Sequence, residues 1–140
     1  MNKPESATWF LRSGLKLFSE EFPENYTAIS GLLKHIPGLY EIEGERFTVK
    51  AINGQIRVRK AGNASEALIR ANVDHKAIIA VVDGTMSVRQ ALAREQLVLF
   101  ADTDALMKLG EVVKIVAGAA IRSSRLQNHF EAYREWVLAM

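Results

Sequence analysis

Apolar positions recur along this chain with two periods, and the places where the period changes divide it into elements. Over residues 7–20, Leu11, Leu15 and Phe18 fall on one helical face. Trp9 and Phe10 stand at its start, and Ser6 is placed to cap it. Pro23 closes that helix, because proline disfavours helical geometry in the residue before it. A second helix over 24–35 carries Ile29, Leu32, Leu33 and Ile36 at spacings of three and four, and Pro37-Gly38 stops it.

The period then becomes two. Tyr40 and Ile42 alternate with Glu41 and Glu43 as in a short edge strand, interrupted at Gly44. Phe47, Val49 and Ala51 alternate with Thr48 and Lys50, and Ile56 and Val58 alternate with Arg57 and Arg59. Between these runs Asn53-Gly54 supplies two residues that tolerate the positive φ of a type I′ hairpin turn. After the loop Ala61-Gly62-Asn63, a strand over 66–73 sets Ala67, Ile69, Ala71 and Val73 against Leu68, Arg70 and Asn72. With the apolar sides inward, Lys50, Arg57, Arg59 and Arg70 share the outer face of one sheet.

Beyond Val73 the helical period returns. Asp74 caps a short apolar helix over 75–82, closed by Asp83-Gly84. Ser87 and Gln90 have capping-box spacing for another, with Val88, Ala91 and Leu92 inward. The strand over 96–101 breaks the alternation, since Leu97, Val98, Leu99 and Phe100 are apolar on both faces. That pattern predicts a central strand covered by the chain's own helices. A homodimer interface through Val98 and Phe100 is the next reading. Asp102 or Thr103 caps a helix over 104–116, with Leu106, Leu109, Val113 and Val116 on one face. Lys108, Glu111 and Lys114 make its narrow polar stripe. Gly110 and Gly118 lower helix propensity by about 1 kcal/mol each and are read as places for close packing or a bend. A last helix over 122–138 aligns Leu126, Phe130, Tyr133 and Val137. The expected fold class is α+β: a small, mainly antiparallel or mixed sheet of four to five strands against several helices, with two N-terminal helices added.

Composition narrows the function classes. A chain of 140 residues suits one domain, residues 1–140. Its net charge of +2 does not by itself indicate a nucleic-acid partner, so electrostatic roles must come from local patches. The absence of cysteine excludes disulfides, thiolate nucleophiles and cysteine-ligated zinc, and agrees with a cytoplasmic location. The first residues lack the apolar core of a secretion signal. Charges interrupt the longest apolar region, 105–121, where a membrane span needs about 20 mainly apolar residues.

Catalytic patterns are missing. His35, His75 and His129 lie far apart without a metal-ligand partner at helical spacing, so no metal is expected. Asp102 and Asp104 read as helix-start carboxylates rather than a catalytic pair. Glu41, Glu43 and Glu45 read as a solvated strand face or loop. Phosphate loops, nucleophile elbows, dinucleotide fingerprints and zinc-helix motifs are absent, so neither an enzyme nor a cofactor is expected. The basic sheet face reads as an ordinary solvated face, with peripheral contact to an anionic membrane as its functional alternative. Sheets that read RNA stack bases on exposed aromatics, and Phe47 falls on the other face, so no nucleic acid is expected.

The order of elements resembles the sterol carrier protein type two family. The resemblance runs through RFTVKAINGQIRV at 46–58, EALIRANV at 66–73 and DGTMSVRQALAREQLVLFADTDALMKL at 83–109. It covers residues 38–118, leaving 1–37 as an N-terminal helical extension and 119–140 as a C-terminal helix. Asp83-Gly84 stands as the family's turn, Ala91-Leu92 in its short helix, Leu97 and Leu99 in its strand. Asp102 stands as the acidic turn, and Leu106 and Leu109 in the Leu-rich helix. Glu95 and Ala101 replace glycines that the family often has, Val98 and Phe100 replace polar residues, and a fifth strand rests on Tyr40 to Glu43.

The resemblance implies a sheet packed on helices around an apolar cavity. It also implies non-enzymatic binding or transfer of a hydrophobic lipid: a sterol, fatty acyl chain or isoprenoid. Some bacterial relatives look like accessory factors in ubiquinone synthesis. On this reading Phe47, Val49, Ile56, Val58, Ile69, Leu97, Leu99, Leu106, Leu109, Val113 and Val116 line the cavity. An ordinary filled core would use the same residues, because ligand pockets are themselves mostly apolar.

Overall fold

Two turns of one type set the sheet. Asn53-Gly54 takes φ values of 53° and 77°, and Glu43-Gly44 takes 47° and 90°. Both are two-residue hairpin turns with positive φ at each central position, as type I′ requires. They join β1 (Gly38–Ile42), β2 (Glu45–Ile52) and β3 (Gln55–Lys60) into an antiparallel meander. Gly44 is thus half of a turn rather than an interruption. The computed structural model describes residues 6–60 and 66–140. The loop Ala61-Gly62-Asn63 lies outside the described residues.

Strand β4 (Ile69–Val73) runs parallel to β1, and β5 (Leu97–Phe100) runs antiparallel to β4. The order is β3-β2-β1-β4-β5, a mixed, open sheet of five strands. Two expectations are corrected. The strand at Tyr40 to Glu43 is the centre of the sheet, not its edge. One solvated face gives the same alternation in either place. The strand at Leu97 to Phe100 is an edge, not the centre, and Val98 and Phe100 on its outer side stay 40% and 67% exposed.

The helices are α1 (Ala7–Glu21), α2 (Pro23–Leu33), α3 (His75–Asp83), α4 (Val88–Ala93), α5 (Thr103–Ala120) and α6 (Ser124–Leu138). Side chains accept from main-chain N–H groups at four of their starts: Ser6 from Trp9, Ser87 from Gln90, Asp102 from Ala105, and Ser123 from Leu126. Each satisfies a donor that a helix leaves unpaired. Pro23 sits in the first turn of α2, where its missing N–H costs nothing. Helix α5 runs four residues past its expected end. A Cβ at Gly110 or Gly118 would meet nothing within 4 Å, so close packing is not their role.

The register places Tyr40, Phe47, Val49, Val58, Ile69 and Leu99 on one face, the inner one. Helix α1 lies along β3, α2 along β2 and β3, α5 against α2, and α6 against α1. Phe18, Ile29, Leu33 and Ile36 from the N-terminal part join this face in one core.

The acidic run is not an idle surface. Glu45 accepts from the N–H groups of Ala7 and Thr8 at 2.9 and 2.8 Å, at the start of α1. Glu43 accepts from the N–H of His75 at 2.8 Å, at the start of α3. His75 is buried, and its Nδ1 lies 2.6 Å from the Tyr133 hydroxyl of α6. One hairpin turn thereby ties down the starts of α1 and α3, and through His75 it reaches α6.

Candidate functional site

The inner face begins with an aromatic pair. The Tyr40 ring stacks on Phe47 with centroids 5.8 Å apart and planes 19° apart. The same ring folds back over Gly38, where a Cβ would sit 2.5 Å from it. Glycine is required there by contact, not by φ. Burial pushes the Tyr40 hydroxyl up to about 12, so the ring stays neutral and belongs to the apolar floor.

Of the eleven expected lining residues, Phe47, Val49, Val58 and Ile69 are buried within the core. Ile56, Leu97, Leu99, Leu109 and Val116 are half-buried. Leu106 and Val113 are 41% and 51% exposed and lie off the packed face of α5, unlike the expected stripe. The inward stripe of α5 is Ala105, Leu109, Val112, Val116 and Ala119, one residue out of phase at two positions. The helix is apolar on nearly every side, so its pattern did not choose between the phases.

Cover is uneven across the sheet. At the β3 edge, the Arg12 Nε–H donates to the Val58 carbonyl at 2.8 Å. The Tyr26 hydroxyl accepts the Ile56 N–H at 2.9 Å. These bonds occupy main-chain groups of an edge strand, which unpaired would invite another strand. A groove of about 250 Å³ remains beside them, lined by Leu15, Lys16, Ser19, Tyr26, Ile56 and Val58. Neither Arg12 nor Tyr26 stood out in the sequence, because a single polar atom reaching a strand edge leaves no periodic trace.

Towards the other edge α4 packs along β5, whereas the close approaches of α1 and α2 are to β2 and β3. Val73, Ile78, Leu99, Leu109 and Val116 pack against the core there but stay half-buried. On the opposite, outer face, a shallow depression of about 200 Å³ is lined by Leu39, Arg46, Arg70, Asn72, Val98 and Phe100, among others. Both openings are smaller than the roughly 300–1,000 Å³ of typical ligand pockets.

The histidines do not converge. His35 is exposed, His129 Nε2 lies 2.8 Å from the Phe10 carbonyl, and His75 holds Tyr133. Burial, together with the negative charges of Glu43 and Glu45, pushes the Tyr133 hydroxyl far up, so it stays protonated. Among the described residues, no group of three His, Cys, Asp or Glu side chains could hold a metal ion. No helix among them is long and apolar enough to cross a membrane.

No family model matches the sequence, and no curated protein is significantly similar to it. Solved structures do share its architecture. The sterol carrier protein domain 2 of Helicoverpa armigera aligns with a TM-score of 0.61 at 11% identity, over 84% of this chain and 96% of that one. The UbiJ-SCP2 ubiquinone synthesis protein aligns with a TM-score of 0.61 at 14% identity, over 88% and 99%. Sterol carrier protein 2 from Yarrowia lipolytica reaches 0.54 at 15% identity, over 77% and 87%. The chain also matches part of the sec-alkyl sulfatase PisA1, with a TM-score of 0.50 at 14% identity, and spans only 14% of that enzyme's length.

Proposed function

The chain has the sterol carrier protein 2 fold, and from that premise we propose that it binds and hands on one hydrophobic lipid, without catalysis, as a single domain over residues 1–140. The observation that carries the proposal is the uneven cover of the inner face. Beneath α1 and α2 lie the buried Phe47, Val49 and Val58, with a small groove at the β3 edge. Towards β4 and β5, half-buried Val73, Leu97 and Leu99 face the side on which α5 carries half-buried Leu109 and Val116. A hydrocarbon chain lies in this seam, and α5 moves outward to admit it. Burying about ten methylenes there supplies roughly 8 kcal/mol before the cost of association.

The lining offers hydrocarbon and the aromatic Tyr40–Phe47 pair, which suits a long apolar ligand and gives reacting groups no foothold. The ligand class is a sterol, an acyl chain or an isoprenoid. A cytoplasmic location agrees with the cysteine-free sequence.

Native mass spectrometry of gently purified protein, followed by solvent extraction and lipid analysis, tests this. The expected result is one lipid per chain. Protein that carries no lipid and takes up no fluorescent acyl probe overturns the proposal.

A further inference from the structure

The outer face of the sheet concentrates positive charge. Register places Arg46 and Lys50 of β2, Arg57 and Arg59 of β3, and Arg70 of β4 on that one face. Glu41 pairs with Arg46 and Glu66 with Lys50, each at 3.4 Å. Five cations stand there against the two carboxylates Glu41 and Glu66, so among the described residues the face is basic. At the β5 end of the same face Phe100 is 67% exposed and Val98 40%. The depression lined by Leu39, Glu41, Arg46, Arg70, Val98 and Phe100, among others, sets two guanidinium groups and one carboxylate beside hydrocarbon.

We infer that this face docks the protein on an anionic lipid bilayer, with the arginines over the headgroups and Phe100 in the apolar boundary. Cations and apolar side chains on one surface are what an anionic bilayer recognises: surface charge attracts the first, the acyl region takes the second. A second copy presenting the same basic face is repelled. Nucleic acid would use several exposed aromatics for stacking. Of the sheet's aromatics Tyr40 and Phe47 face inward, leaving Phe100 alone outward.

The inference explains why β5 is apolar on both sides. Leu97 and Leu99 border the inner seam, while Val98 and Phe100 reach outward. An edge strand so built lies between a membrane and the seam. Membrane contact does not require a ligand inside, so it stands or falls separately from the lipid-carrier reading.

Flotation with phosphatidylcholine vesicles, with and without phosphatidylserine and at low and high salt, tests the contact. The expected protein floats only with the phosphatidylserine vesicles, and salt weakens it. Each basic residue near such a surface is worth about five-fold in partition, so Arg57→Gln with Arg59→Gln lowers binding about 25-fold. Phe100→Ser weakens binding at both salt levels, and Lys114→Gln on α5 leaves it unchanged. Absence of binding to anionic vesicles, or binding indifferent to the arginine pair, overturns the inference. So does sedimentation as a dimer that Phe100→Ser dissociates, or equally tight binding of single-stranded RNA. Acyl-probe uptake on the same samples separates the two proposals: lost flotation with intact uptake removes only the membrane contact.

Discussion

One carboxylate oxygen of Glu45 accepts two hydrogen bonds from one residue, Thr8: its N–H at 2.8 Å and its hydroxyl at 2.6 Å. The other oxygen takes the Ala7 N–H. A strand residue thus satisfies donors left unpaired at the start of a helix 37 residues earlier and faces the positive end of its dipole. Partial burial alone would push the Glu45 carboxyl up. The bonds from Thr8 and Ala7, with the charge of Lys60, outweigh burial and hold it below its ordinary value of 4.5. A depressed folded value contributes stability that is complete above 4.5 and vanishes as pH falls through the folded value. Glu45→Gln weakens these partly solvent-screened bonds and is expected to cost about 1 kcal/mol at neutral pH. Its stability also falls less than the wild type's on acidification. Urea denaturation of both proteins at neutral and acid pH measures the two effects, and parallel pH curves would contradict the account.

Glu95 holds a left-handed conformation, φ 58°, just beyond α4. The Gln96 N–H reaches the Ala91 carbonyl at 3.0 Å and the Glu95 N–H reaches that of Leu92 at 3.2 Å, the two bonds of a Schellman end. Glycine usually takes this position, and a side chain there costs about 1–2 kcal/mol. Losing the glycine changed the residue and kept the turn. Glu95→Gly is expected to stabilise the protein by about 1 kcal/mol, net of glycine's extra chain entropy, and to raise Tm by about 3 °C. A lower Tm in thermal melts would show that Glu95 makes a compensating contact.

Adjacent valines on α5 make opposite predictions. Val112 is 9% exposed and belongs to the core, whereas Val113 is 51% exposed. Val112→Ala removes buried hydrocarbon and is expected to cost about 2 kcal/mol. Val113→Ala is expected to change stability by less than about 0.5 kcal/mol. Chemical denaturation of the pair checks the helix phase, and equal losses would contradict it.

Local rules made most of the fold legible. Asn53-Gly54 announced its turn because both residues favour positive φ, and Ser87 with Gln90 announced α4 because the box is reciprocal. What stayed hidden depends on neighbours far along the chain. Glu43-Gly44 makes the same turn as Asn53-Gly54, but glutamate is an uncommon residue at φ 47°. Leu97 to Phe100 looked like a buried centre because a periodic pattern records apolarity, not strand order. In α5 the small Ala105 and Ala119 are buried while Leu106 faces out, since α2 lies close on that side. The candidate site suffered most from this. Residues on the strands were placed on the correct face, but which of them stay half-covered depends on where α1, α2 and α5 sit.

Uptake of a fluorescent acyl probe by wild type, Leu99→Glu and Leu106→Glu tests the lipid-binding claim most directly. Leu99 faces the inner seam, and Leu106 lies outside it on α5. Wild type and Leu106→Glu are predicted to saturate alike at one probe per chain. Leu99→Glu, with its circular dichroism unchanged, is predicted to bind about tenfold more weakly or worse, because a carboxylate in the seam lacks a partner. Wild-type protein without saturable uptake, or folded Leu99→Glu that binds as well as wild type, would contradict the account.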